Sequence, residues 1–254
     1  MDDLISILLL GGIAGVIGIF AYYVVRTYLV PKRVEELAEM IRDGHVGPAI
    51  SKLTKMIEEN ERDPYLHFLL GEAYAKQNDL QSAATEYRQT IKISKWSPQV
   101  KEAVVRSRLA KIYMQNRNFD EAKKEYLILT RLDGSNNENF YQVGVLFETA
   151  GLNDKALPYF KQSAKLKPTH SESFQHIGII EYNFGNVNDA KLALTEAVKL
   201  NGNLHSAHYY LGMCLKNQKD YEWAIKEFEL ASKDENLKGR ALLAKGLSLM
   251  EKGQ

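Results

Sequence analysis

The sequence predicts an all-α chain in which one apolar helix precedes a solenoid of stacked helix-turn-helix repeats. Three observations carry that reading. No charged side chain occurs between Leu4 and Val25. Beyond that run, small residues recur with a period of 34, at Gly71, Ala110, Gly144, Gly178, Gly212 and Gly246, spaced 39, 34, 34, 34 and 34. A second series, Ala49, Ala83, Ala122, Ala156, Ala190 and Ala224, is spaced 34, 39, 34, 34 and 34, with its five extra residues at the same place in the chain.

The N-terminal run is long enough to cross a bilayer. At 1.5 Å per residue its twenty-two residues reach roughly 33 Å, against a hydrocarbon core of about 30 Å. Phe20, Tyr22, Tyr23 and Tyr28 cluster at its far end, where amphipathic rings favour the headgroup region. The chain opens Met1-Asp2-Asp3 rather than with the basic start of a signal peptide, so residues 1–29 read as a retained anchor. Gly11, Gly15 and Gly18 lie on one face of that helix and offer a close approach to another membrane helix. Arg26, Lys32, Arg33 and Arg42 follow the span while no Lys or Arg precedes it, which predicts a cytoplasmic array on a bacterial inner membrane, with a periplasmic array as the alternative.

Composition narrows the function. With 33 basic and 32 acidic residues the net charge is +1 and no basic stripe stands out, which argues against nucleic-acid binding. Cys214 is the only cysteine, so neither an internal disulfide nor a thiolate zinc site can form. His205 and His208 are three apart on a helix, yet no third ligand accompanies them, and a surface or groove role is expected instead of a metal. Cys214 reads as a small packing residue. No catalytic constellation and no cofactor motif emerges, and the chain is expected not to be an enzyme.

The periodic segment divides into repeats at 30–63, 64–97, 103–136, 137–170, 171–204 and 205–238, followed by a terminal helix at 239–254. Two helices cross closely only where side chains are small, so each Gly or Ala of a first helix is expected to meet the alanine of its partner. Asp79, Asn118, Asn186 and Asp220 precede second helices as candidate N-caps. Pro48 suits a first helical turn. The extra residues Pro98 to Glu102 are expected to lengthen the following helix, with Ser97 as its cap. In the last segment Gly246, Leu243, Leu247 and Met250 keep the pattern of a first helix without its second, which reads more as a chain that continues than as a cap.

These segments, for example "FLLGEAYAKQNDLQSAATEY" and "YYLGMCLKNQKDYEWAIKEFELA", resemble tetratricopeptide repeats, a 34-residue helical hairpin. Aromatic residues stand at the family's positions 11 (Tyr74, Tyr113, Phe147) and 24 (Tyr87, Tyr126, Phe160, Phe228). Thr90, Leu129 and Ser163 replace the second alanine of the pattern, and Leu37 replaces the small residue of the first repeat. The resemblance implies a right-handed α-solenoid whose first helices line a groove for partner polypeptides, at positions 2, 5, 9, 12 and 13. Those positions hold Tyr65, Phe68, Glu72 and Lys76, then Val104, Ser107, Lys111 and Met114. They continue with Glu138, Tyr141, Glu148, Glu172, Gln175, Tyr182 and Asn183, and finish with Tyr209, Met213, Lys216 and Asn217. The family's clamp for acidic chaperone C-termini needs Lys and Asn where Phe68, Glu72, Ser107 and Lys111 stand, so that ligand is not expected. The function implied is a membrane-anchored scaffold or adaptor in the assembly or regulation of a membrane-associated complex. The alternatives are a periplasm-facing part of a secretion or flagellar machine, or the regulatory part of a longer enzyme cut at Gln254.

Overall fold

A computed structural model of the chain describes residues 16–25 and 30–253. Every regular element among them is helical: α1 over residues 16–25, α2 (Val30–Arg42), α3 (Val46–Glu59), α4 (Pro64–Lys76), α5 (Leu80–Ile93), α6 (Glu102–Gln115), α7 (Phe119–Leu132), α8 (Asn137–Thr149), α9 (Asn153–Leu166), α10 (Ser171–Asn183), α11 (Val187–Leu200), α12 (His205–Asn217), α13 (Tyr221–Ala231) and α14 (Glu235–Lys252). They form two compact units that divide inside α6, Met1–Ile112 and Tyr113–Gln254. The first holds the hairpins α2/α3 and α4/α5. The second holds α8/α9, α10/α11 and α12/α13, with α14 packed on α13 and α12.

One turn recurs in every repeat. Gly44, Asn78, Arg117, Gly151, Gly185 and Lys219 all have positive φ, between 57° and 90°. The next residue donates its N–H back five positions, as Asp79 does to Tyr74 (2.9 Å) and Asp220 to Leu215 (2.9 Å). This is a left-handed C-cap that closes each first helix and reverses the chain into the second.

The six periodic alanines are all fully buried, as are the rings of Tyr87, Phe160 and Phe228. Between them the glycines explain themselves. A β-carbon on Gly71, Gly144 or Gly212 would lie 2.7 Å from a ring carbon of Tyr87, Phe160 or Phe228 respectively. On Gly178 it would overlap Leu194 and come 3.1 Å from the carbonyl oxygen of Ala190. The expectation that glycine meets alanine holds at Gly178, beside the Ala190 carbonyl, and is extended: the small residue chiefly makes room for the large residue one turn further along the second helix. Thr90 and Ser163 replace alanine without leaving an orphan polar atom. Thr90 Oγ1 donates to the carbonyl of Glu86 (3.0 Å), and Ser163 Oγ accepts from Ser173 Oγ (2.9 Å).

Two local expectations are also revised. Asp79 caps α5 through Ser82 N (3.1 Å), but Asn118, Asn186 and Asp220 make no side-chain cap. Asn186 instead donates to Glu181 (2.8 Å), and the side-chain caps missed in the sequence sit on first helices, at Asp63, Asn136 and His170, and on α14, at Asp234. The residues before α6 do not extend it. Ser97 and Val100 exchange backbone hydrogen bonds of 3.0 and 3.1 Å, and Val100 is fully buried, so the insertion folds as a turn that drives one apolar plug inward.

The predicted span from Leu4 to Val25 lies outside the described residues except at 16–25. There Val16, Ile17, Ile19 and Phe20 are all more than 60% exposed, and nothing lies within 4 Å of a β-carbon built on Gly18. No described helix is long and apolar enough to cross a membrane. On α14 the face holding Gly246 is open, with Leu243 and Met250 each 67% exposed.

Candidate functional site

In the first unit the side chains on the first-helix face are largely committed to the chain itself. Tyr65 packs on the core of α2 to α4, and its phenol is pushed up chiefly by burial. Phe68 sits against Tyr87 at 6.1 Å between ring centroids. Glu72 accepts from the Tyr87 hydroxyl (2.5 Å) and from Arg108 Nε (2.8 Å) through the same oxygen. Burial and that carboxylate raise the Tyr87 phenol. Lys76 donates to the carbonyls of Ile41 and Arg42, both at 2.6 Å, and so satisfies the end of α2. Lys111 is exposed on α6.

The second unit arranges the same face differently. Tyr141, half-buried on α8, contacts Phe160 (5.8 Å), His170 (4.9 Å) and His176 (5.7 Å). Its hydroxyl lies 3.3 Å from His176 Nε2, and the imidazole stacks on Phe160 at 4.6 Å with 7° between planes. Its phenol is pushed up to about 12, by burial first and then by the carboxylates Glu172, Glu138 and Glu148. Glu148 lies 2.8 Å from His176 Nδ1, Glu138 accepts from Gln142 (2.6 Å), and Glu172 accepts from Ser171 (3.0 Å). No Lys or Arg salt bridge to these three carboxylates occurs among the described residues. His170 and Lys167 offset part of the charge on Glu172, yet an aromatic ring among three carboxylates without a Lys or Arg salt bridge is an environment suited to a cation.

Further along the face, Gln175 is half-buried on α10 and Asn183 is exposed at its end. Tyr182 hydrogen-bonds Asn217 and packs edge-on against Tyr210 at 5.5 Å. Lys216 pairs with Glu251 (3.0 Å). Tyr209 is only 8% exposed and lies between Phe228 and the Arg240 guanidinium, so it packs the hairpin and offers little to a ligand. The histidines of the Tyr141 cluster were missed in the sequence. His176 stands at position 6, outside the expected positions, and His170 lies in the turn before α10.

His208 also departs from expectation. It is 5% exposed, inside its hairpin, with both ring nitrogens facing acceptors, while His205 Nδ1 lies 3.1 Å from the carbonyl of Leu230. No group of three potential metal ligands occurs among the described residues. Cys214 is fully buried and its thiol is pushed up to about 11 by burial, a packing environment that suppresses the thiolate.

The tetratricopeptide repeat family model matches residues 42–95, 107–171 and 177–236, most of the chain. The chain belongs to the tetratricopeptide repeat family. Solved tetratricopeptide structures share its fold. YrrB, described as a TPR protein with an unusual peptide-binding site, is 21% identical, with a TM-score of 0.63 over 76% of this chain and 97% of its own. MamA is 17% identical with a TM-score of 0.57, covering 67% of this chain and 97% of its own. The fragment of MamA starting at residue 41 from Desulfovibrio magneticus RS-1 gives 16% and 0.56, over 68% and 96%. No curated protein matches the chain.

Proposed function

We propose that this tetratricopeptide protein is a non-enzymatic scaffold that holds a partner polypeptide on the first-helix face of its second unit. The carrying observation is the Tyr141 cluster, a half-buried ring among Glu138, Glu148 and Glu172, with His170, His176 and Phe160 beside it and no Lys or Arg salt-bridged to the three carboxylates among the described residues. A partner segment that places a Lys or Arg there gains a cation–π contact and neutralises the carboxylates together. The family supports the class of function, since its repeats generally serve as interaction scaffolds and YrrB is described as peptide-binding.

The test is fluorescence anisotropy of the chain with labelled peptides that carry lysine or, in its place, acetyl-lysine. The lysine peptides should bind more tightly, and Tyr141→Ala should weaken them about tenfold, between the few-fold effect of an exposed cation–π contact and the roughly thirtyfold effect of a fully desolvated one. Equal binding of both peptide sets would refute the seat.

The N-terminal anchor belongs to the same proposal, with the array on the cytoplasmic side of a bacterial inner membrane. The charge-free sequence and the exposed apolar side chains over residues 16–25 support it. Alkaline extraction of membranes should leave the full chain in the pellet and release a variant lacking residues 4–25. Release of both would remove the anchor from the proposal without touching the scaffold.

A further inference from the structure

We propose that His67 and His208 are proton-operated latches, each closed only when its imidazole carries both protons. The geometry is the same in two repeats of two different units. His67 Nδ1 lies 2.7 Å from a carboxylate oxygen of Glu86 on α5, and its Nε2 lies 3.1 Å from the backbone carbonyl of Glu61 in the turn before α4. His208 Nδ1 lies 2.5 Å from Glu227 on α13, and its Nε2 lies 3.1 Å from the carbonyl of Gly202 in the turn before α12.

Both partners of each ring are acceptors. A backbone carbonyl can only accept, so Nε2 must carry a hydrogen, and an ionised carboxylate at Nδ1 demands a second. A neutral imidazole has one N–H and must leave one of these contacts unmade. Water is poorly placed to repair the loss, because the histidine side chains are only 11% and 6% exposed and their glutamates 18% and 16%. Each latch therefore ties three pieces together: a first helix, its second helix and the turn arriving from the preceding repeat.

The surrounding charges agree. The Glu86 hydrogen bond raises His67 above its usual value, ahead of the opposing effect of burial, with the Glu61 carbonyl and the charges of Glu86 and Asp63 adding to it. For His208, burial is the largest effect and pulls downward, but Glu227 and the Gly202 carbonyl outweigh it, with Lys233 opposing weakly. Both histidines are thus easier to protonate in the folded chain than in the unfolded one. The stabilisation is complete below the ordinary histidine value of about 6.5 and is lost as pH rises through the raised value. The hairpins α4/α5 and α12/α13 should be tightest where the glutamates are ionised and the imidazoles still protonated, and should loosen as pH rises through the raised histidine value.

The device is confined to particular repeats. At the corresponding positions the repeats at 137–170 and 171–204 carry Phe140 with Tyr159 and Phe174 with Ala193, which cannot titrate this way in the relevant range. A chain built of similar hairpins thereby acquires two that answer to protons.

Nitrogen-15 imidazole spectra of the full chain provide the test. Both His67 and His208 should titrate above a histidine in a free peptide, so that near pH 6.5, where a free imidazole is about half protonated, both ring nitrogens of each carry a proton in most molecules. Glu86→Gln and Glu227→Gln supply an amide that accepts from the ring or donates to it, so a neutral ring keeps both contacts. The titration of the altered site should then fall back towards the free-peptide value, and the fall in melting temperature as pH rises through the histidine range should flatten, most in the double variant. Rings that titrate at or below the free-peptide histidine in the unaltered chain would overturn the proposal. So would a double variant whose melting profile against pH matches the parent.

Discussion

Two hairpins, one in each unit, stack the same pair of rings at the same register yet treat the face outside them in opposite ways. In α4/α5 the pair is Phe68 and Tyr87, so the hydroxyl belongs to the buried second helix and points its hydrogen bond at Glu72. Arg108 then donates to the same oxygen of that carboxylate at 2.8 Å. In α8/α9 the pair is Tyr141 and Phe160: the hydroxyl has moved to the first helix and lies among carboxylates that lack a Lys or Arg partner. On the proposed reading, moving one oxygen from the second helix to the first turns a fastened surface into one that receives a ligand. Position in the repeat is therefore insufficient to assign a binding residue; what matters is whether its polar atoms are already engaged.

The largest effect that can break this comparison comes from the packing beneath it. In the second unit, Gly178→Leu would drive a side chain into Leu194 and the backbone at Ala190, with no flexible end to move aside. Overpacking of this kind costs about 1–3 kcal/mol or more, and urea denaturation should show the midpoint falling while the slope is kept. An unchanged midpoint would mean that α10 and α11 do not cross where they are placed.

The next effect separates fastening from binding. Glu72→Ala should cost stability, about 1–3 kcal/mol discounted for the partial exposure of Glu72 and Arg108, because it strands the buried Tyr87 hydroxyl. It should leave peptide affinity unchanged. Glu148→Gln should do the reverse, weakening a basic peptide several-fold with little change in the melting curve. If Glu72→Ala abolished binding, the first unit would be the receptor surface and the contrast between the hairpins would be inverted.

The sequence made the period legible because every periodic position answers to sterics. A glycine opposite a ring and a buried alanine can be replaced only at cost, and so they recur at 34 residues wherever hairpins stack. The insertion before α6 was visible as five extra residues, but its conformation was not, since that depends on Val100 finding a place in the interior. The surroundings of the expected groove positions were the least legible part. Tyr209 and Tyr141 share a register, yet Arg240 and Phe228 enclose the first while the second remains half-open. Nor did the sequence disclose that Lys76 serves the carbonyls of α2, because that contact spans 35 and 34 residues of chain. The pairing of His67 with Glu86 and of His208 with Glu227 left one readable trace: both residues recur at a spacing of 141.

The smallest effect sharpens the comparison at the turns. Six turns require a left-handed residue, and three of them use glycine: Gly44, Gly151 and Gly185. Asn78, Arg117 and Lys219 hold the same conformation with φ of 63°, 57° and 63°. Asparagine tolerates it comparatively well, whereas a long unbranched chain suffers contact between its β-carbon and the following carbonyl. Lys219→Gly should therefore stabilise the α12/α13 hairpin by up to about 1 kcal/mol, the left-handed penalty less the extra freedom glycine has when unfolded. The converse change, Gly185→Lys, should destabilise α10/α11 by a similar amount, although nothing lies within 4 Å of the added β-carbon. Both should appear as opposite shifts in thermal midpoint. A loss of stability in Lys219→Gly would show that the lysine side chain contributes more to the turn than its backbone strain removes.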